Sequence, residues 1–203
     1  MAHAAFDYCL VVGAEEVDWL LCDAYRRWRL LRLEPPVEAF RRDARGMILS
    51  EGAGATLLAR EGSPTIECIN LGGHYRKRAE VEEILKRILR DLNKTEIDFV
   101  VSSANGTFID EAERKALAHI IPDALVYTPK PALGESVGAA GLWQVIIAAL
   151  ALQRGELPPL LHSEAINQLR VSTVHLSLAN AKDAIVLSCG VNQQAAGLRL
   201  SIR

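Results

Sequence analysis

The chain has 203 residues, 50% of them hydrophobic and 24% charged, which is typical of an ordinary globular protein. Its net charge of −2 and its lack of lysine or arginine runs argue against nucleic-acid binding and against binding to a membrane surface. The longest apolar stretch, residues 142–152, is too short to span a bilayer, and no secretory signal is visible.

The four cysteines, Cys9, Cys22, Cys68 and Cys189, show neither a CxxC pair nor metal-ligand spacing. Cys9 and Cys189 lie in apolar, strand-like runs. We therefore predict buried free thiols in the reducing environment of the cytoplasm, with no metal site and no cofactor.

The first part of the chain predicts a buried strand at residues 8–13, followed by helical spacing of apolar residues at 14–31 that ends before Pro35 and Pro36. Residues 40–46 are polar and rich in arginine, which predicts a surface loop. Residues 47–59 form two apolar pieces around small residues, where another element could approach the backbone closely.

The middle of the chain alternates between strand and helix patterns. Strands are predicted at 65–72, 98–102 and 125–128, and amphipathic helices at 79–92 and 110–119, with a turn at 102–107.

Residues 138–154 are apolar nearly all round, which predicts a buried helix that Gly155 ends. Strands are predicted at 171–178, 183–189 and 196–202. The alternation of strands and helices predicts an α/β layered fold.

Four segments carry motifs that occur together in one family. Residues 40–54 (FRRDARGMILSEGAG) resemble the PFDxxRxGFVxGEGAG segment of β-ketoacyl-ACP synthases, and residues 104–107 (ANGT) look like their His-Gly-Thr loop. Residues 130–141 (KPALGESVGAAG) are similar to their KSxxGHxxGAAG stretch, and residues 188–192 (SCGVN) lie where that family has an SFGFGG turn. The order and spacing of these motifs identify the chain as a degenerate, chain-length-factor-like member of this family.

The resemblance implies a thiolase-like fold, with helices between two sheets, and either a homodimer or a pseudo-symmetric heterodimer. It also implies an incomplete fold, because the family's nucleophilic cysteine lies upstream of the segment where this chain begins. We therefore expect residues 1–203 to form a single thiolase-like domain that lacks most of the N-terminal half.

The resemblance also implies that no catalytic residue is intact. The first family histidine corresponds to Asn105 and the second to Glu135, whereas the family lysine is kept as Lys130. None of the four cysteines matches the nucleophile, and residues 189–193 replace the Phe-Gly gate. Glu113 matches a family acidic position.

Decarboxylative condensation needs a thiolate to carry the acyl chain and donors to hold the enolate oxygen. Asn105 can donate a hydrogen bond but cannot carry a proton in the physiological range as histidine can. The charge of Glu135 would repel an enolate.

Purely structural roles are the alternative for all three positions. Asn105 is then a turn residue, Lys130 a partner in an ion pair, and Glu135 a charge at a helix N-terminus near Gly138. The arginines at positions 26, 27, 29, 32, 41 and 42 could dock an acidic acyl carrier protein or form a solvated face.

Three hypotheses remain. The leading one is a non-catalytic ketosynthase-like subunit that works with an active ketosynthase in fatty-acid or polyketide biosynthesis. The second is an enzyme, either a synthase half completed by another chain or an acyl-thioester enzyme that uses Glu135 and Asn105. The third is a fragment without an independent role, which would expose a large apolar surface.

Overall fold

The computed structural model describes residues 6–41, 43, 45–162, 166 and 168–203. The strands are β1 (Tyr8–Glu15), β2 (Gly52–Ala59), β3 (Thr65–His74), β4 (Phe99–Val101), β5 (Leu125–Tyr127), β6 (Glu156–Leu157), β7 (Leu176–Ser177), β8 (Asp183–Gly190) and β9 (Gln194–Ser201). The α-helices are α1 (Trp19–Arg27), α2 (Val81–Leu92), α3 (Phe108–Ile120), α4 (Lys130–Leu133) and α5 (Ala140–Arg154).

The centre of the fold is a mixed five-stranded sheet in the order β3-β9-β8-β4-β5. Strand β4 runs parallel to both of its neighbours, β5 and β8, whereas β9 pairs antiparallel with β8 and β3. Strands β1 and β2 form a separate antiparallel ribbon, and β6 pairs with β7 in a second short one.

Strand β8 is buried on both faces, so it reads as a continuous apolar run. Ile185 and Leu187 pack on the side of α2 and α3, whereas Ala184 and Val186 pack on the side of α5. Helix α2 turns a fully buried stripe toward the sheet. The helices therefore cover both faces of the sheet and make the layers of an α/β fold.

Helix α5 lies between the five-stranded sheet and the β1–β2 ribbon. The ring of Trp143 packs against Gly52 and Gly54, where a Cβ atom on Gly52 would come within 2.2 Å of that ring. Gly138 likewise lies against the backbone of Ala14. The prediction that small residues here allow close approach is confirmed.

Helix ends follow local chemistry. Asp18 caps α1 by accepting a hydrogen bond from the Leu21 N–H at 2.7 Å, and Thr107 caps α3. Gly155, with φ of 65°, ends α5 in the left-handed conformation, as the sequence predicts.

Several sequence predictions are wrong in extent. Helix α1 is shorter than residues 14–31, because β1 continues to Glu15 and Asp18 then caps the helix at Trp19. Of residues 171–178, only Leu176–Ser177 form a strand, since their pairing partner is the two-residue strand β6. The short helix α4 was not predicted. Helix α5 is only partly buried, because one side of it faces an open groove beside β2.

One burial prediction is also corrected. Cys9 is exposed because β1 lies in the outer ribbon, whereas Cys189 is buried as predicted; all four cysteines are unpaired. The surface loop predicted at residues 40–46 agrees with the exposure of Arg41, Asp43 and Arg45, whereas Phe40 and Gly46 at its two ends are buried. Arg42 and Ala44 of this segment lie outside the described residues. No helix in the described ranges is long and apolar enough to cross a membrane.

Candidate functional site

The structure brings Asn105, Lys130 and Glu135 together. Glu135 Oε2 lies 2.6 Å from Lys130 Nζ and accepts a hydrogen bond from Asn105 Nδ2 at 2.5 Å. All three residues are buried, with at most 8% of their surface exposed. The three side chains thus form an internal ion pair with an amide donor.

The orientation of each group is fixed by its neighbours. Asn105 Oδ1 accepts hydrogen bonds from the N–H and hydroxyl of Thr107, so its NH2 group faces Glu135. The main chain of Glu135 donates to the Ile48 carbonyl at 2.8 Å and accepts from the Ser50 N–H at 3.0 Å. Asn105 is therefore a turn residue, as one alternative expected, and also a donor within the cluster.

The carboxylate of Glu135 binds Lys130 and Asn105 rather than the N-terminus of α5, which begins at Ala140. The expectation of a helix N-terminal charge near Gly138 is wrong for this reason. The expectation of an ion-pair role for Lys130 agrees with the geometry.

Asp110, in the first turn of α3, organises the loop that carries Asn105. Its fully buried carboxyl accepts hydrogen bonds from the N–H groups of Phe40, Asn105 and Gly106. Burial raises the pKa of this carboxyl to about 6, although the N–H donors oppose that rise.

We expect Asp110 to make stability depend on pH. A raised pKa in the folded state stabilises the fold below the unfolded pKa, and this stabilisation is lost as pH rises to about 6. Relative to the D110N variant, which cannot ionise there, the wild-type free energy of unfolding should fall by about 2–3 kcal/mol between pH 4 and pH 7. Urea unfolding of both proteins measures this. A difference that stays constant over that range would contradict it.

Glu113 ties the same loop to the end of β8. It accepts hydrogen bonds from Ser102 Oγ at 2.7 Å and from the N–H and hydroxyl of Ser103, and Ser103 Oγ in turn accepts from the Cys189 N–H. Burial raises the pKa of the Cys189 thiol, and the charge of Glu113 raises it further. Cys189 is therefore a protonated thiol at neutral pH, which is a poor nucleophile.

We expect Cys189 to resist thiol reagents in the folded protein. Exposed Cys68 should react with 5,5′-dithiobis(2-nitrobenzoate) at least about 100-fold faster than Cys189, because only the accessible thiolate attacks the reagent. Comparison of the C189S and C68S variants assigns the rates: C189S should keep the fast phase, and C68S should lose part of it. A fast phase lost in C189S would show instead that Cys189 is activated.

A cavity of about 250 Å³ opens beside the cluster. It is lined by Lys130, Glu135, Tyr25 of α1, Gln144 of α5 and residues 188–192 at the end of β8. No described residue that lines it is a histidine. Its polar groups can hold and orient a small ligand, but the described lining offers no imidazole to act as a general base.

Two contributors to the site were missed from sequence. Gln144 is buried and donates hydrogen bonds to the carbonyls of Ser102 and Leu187, so it links α5 to the residue that follows β4 and to β8. A lone glutamine on an apolar helix was the available signal. Tyr25 lies in the segment 14–31, whose apolar spacing predicts a helix but no part in a site. Burial raises its pKa, and the charge of Glu135 adds to this rise.

The remaining candidate side chains lie away from the cluster. Three of the arginines form ion pairs. Arg27 pairs with Asp23 and Arg32 with Glu38. Arg41 pairs with both Glu38 and Asp43. The histidines at positions 74, 119, 162 and 175 are exposed and do not line the cavity. Within the described ranges, no three His, Cys, Asp or Glu side chains are grouped to hold a metal.

Two family models match the sequence. Residues 2–63 match the N-terminal domain of beta-ketoacyl synthases, and residues 69–164 match their C-terminal domain. Among curated proteins, 3-oxoacyl-[acyl-carrier-protein] synthase 2 of Mycobacterium leprae is 42% identical over 77 residues. That match covers 36% of this chain and 18% of the mycobacterial protein.

Solved structures share the fold over nearly the whole chain. The ishigamide ketosynthase/chain length factor matches with a TM-score of 0.81 and 23% identity over 97% of this chain and 54% of that one. A beta-ketoacyl synthase from Burkholderia phymatum matches with a TM-score of 0.81 and 18% identity, covering 100% and 56%. The chain thus has the thiolase-like ketosynthase fold and spans about half the length of these structures.

Proposed function

Because the chain belongs to the β-ketoacyl synthase family, we propose that it is a non-catalytic, chain-length-factor-type subunit acting with an active ketosynthase in fatty-acid or polyketide biosynthesis. Residues 1–203 then form one thiolase-like domain that works in the cytoplasm. The observation that carries the proposal is the closed hydrogen-bonded cluster of Asn105, Lys130 and Glu135, the three residues that the motif resemblance matches to catalytic positions of the family.

The charges in this cluster oppose condensation chemistry. An enolate that develops beside the Glu135 carboxylate would be repelled, and Lys130, which could offset that charge, is already bound to Glu135 at 2.6 Å. Cys189 is the described cysteine that lines the cavity, and its raised pKa does not suit a nucleophile. The loops around the cluster are nonetheless held in place by hydrogen bonds of Asp110, Glu113 and Gln144.

The exposed face of the β1–β2 ribbon supports the proposal that the chain binds a partner. Its outer face is apolar at every position and exposed, with the cross-strand pairs Tyr8–Ala59, Leu10–Leu57, Val12–Ala55 and Ala14–Ala53. A strand that is apolar on both faces is typical of a sheet that is covered on both sides. We propose that a ketosynthase-like chain covers this face.

The same face supports a second candidate function, a synthase half completed by another chain that supplies the nucleophilic cysteine. The part of the solved ketosynthases that this chain does not span is nearly as long as the part that it does. In a further variant of the enzyme hypothesis, Glu135 and Asn105 would act on an acyl thioester, since Glu135 lines the cavity and Asn105 donates a hydrogen bond to its carboxylate.

An acyl carrier protein is a candidate further partner. Arg26 and Arg29 are exposed and form no ion pair with a described residue, so they remain available to an acidic surface. If they are used, binding of the carrier protein should weaken steeply as ionic strength rises.

Native mass determination of the complex, purified from its source through a tag on this chain, tests the proposal. We expect a stoichiometric complex with a ketosynthase-like chain that carries its own cysteine and histidines. A partner that carries the cysteine but lacks the second-half histidines would favour the split synthase. A homodimer without any other chain would contradict the obligate heteropartner.

A further inference from the structure

The cluster of Asn105, Lys130 and Glu135 has the composition of an occupied anion site. Lys130 supplies a cation and Asn105 an amide N–H, and both point at one carboxylate oxygen. Such charge-assisted hydrogen bonds are the strong contacts by which proteins bind carboxylate ligands. The carboxylate here belongs to the chain itself.

We propose that Glu135 is an internal carboxylate ligand that fills an anion site made by Lys130 and Asn105. The cavity beside it therefore takes no small carboxylate, such as malonate, while Glu135 is in place. This inference concerns the charge of the cavity and holds whether or not the chain works with an active ketosynthase.

The donors are fixed independently of Glu135. Lys130 opens the short helix α4, and Thr107 holds the amide of Asn105 in its orientation. The main chain of residue 135 is hydrogen-bonded to Ile48 and Ser50 through its own N–H and C=O groups, which any side chain leaves intact. Truncation of the glutamate should thus leave a cavity with both donors in place rather than a collapsed loop.

The vacated space has a defined size and opens to the existing cavity. Replacement of Glu135 by alanine removes one methylene and the carboxylate, which together correspond to acetate. Lys130 and Glu135 both line the cavity of about 250 Å³, so acetate has a route of entry. Lys130 would otherwise remain a buried cation without its counter-ion, which favours binding of an anion.

The test is thermal unfolding of the E135A variant in acetate, compared with acetamide and with chloride at the same ionic strength. Acetate at ten times its dissociation constant should raise the Tm of E135A by about 3–6 °C, whereas the neutral isostere acetamide should not. The Tm of wild type should not shift, because the Glu135 carboxylate already fills the anion site. The Tm of E135Q should not shift either, because the glutamine side chain fills the space that acetate would need. The E135A/K130M variant should not respond either, because the cation is gone.

An equal response to acetate and acetamide, a similar response of the wild type, or no response of folded E135A would overturn the proposal. If E135A does not fold in buffer, its refolding yield in acetate and in acetamide gives the same comparison. Selective recovery in acetate supports the internal ligand, and equal recovery excludes it.

Discussion

Replacement of Lys130 by methionine is expected to lower the free energy of unfolding by about 3–5 kcal/mol, because it leaves the buried carboxylate of Glu135 without its cation. Only 6% of the Lys130 side chain and 10% of the Glu135 side chain are exposed, so water cannot replace the lost partner well. Urea unfolding monitored by circular dichroism measures the loss.

Two further variants show whether this cost arises from an orphaned charge. The double variant K130M/E135L removes both charges and should recover much of the loss, since apolar residues often replace a buried ion pair at little cost. Lys115 is also in an ion pair, with Glu111 at 3.5 Å, but 48% of its side chain is exposed. The K115M variant should therefore change stability by less than about 1 kcal/mol. Equal losses in K130M and K115M would refute the buried-pair argument.

Charges placed on the outer face of the β1–β2 ribbon should abolish association with the proposed partner. Leu10 and Leu57 face each other across the ribbon and are 65% and 60% exposed. The L10E/L57E variant should weaken association by more than about 100-fold, because burial of each leucine contributes about 1.5–3 kcal/mol and a buried unpaired carboxylate costs more. Recovery of the partner with the tagged chain, quantified against wild type, measures the effect.

The V174E variant is the matched control, since Val174 is 63% exposed and lies outside the ribbon. It should recover the partner as wild type does. Free of partner, wild type should bind a hydrophobic dye such as 8-anilinonaphthalene-1-sulfonate through the ribbon face, and L10E/L57E should bind less. Undiminished partner recovery with L10E/L57E would show that the complex forms through another surface.

Much of the local structure was determined by sequence. The buried stripe of α2, the continuous apolar run of β8 and the end of α5 at Gly155 all follow from periodicity and from backbone preferences that act over a few residues. The motifs at residues 40–54, 104–107 and 130–141 also identified the family, which the two matching family models confirm.

The features that only the tertiary structure decided depend on contacts between residues far apart in the sequence. Asn105 and Glu135 are 30 positions apart, and no local pattern shows that their side chains meet or that Lys130 binds the same carboxylate oxygen. The true length of α1 and the reduction of residues 171–178 to a two-residue strand likewise reflect which neighbours are available. The apolar residues of β1 predicted a buried strand, but the ribbon leaves its outer face exposed, because burial is set by the layers that pack on a strand and not by its sequence alone.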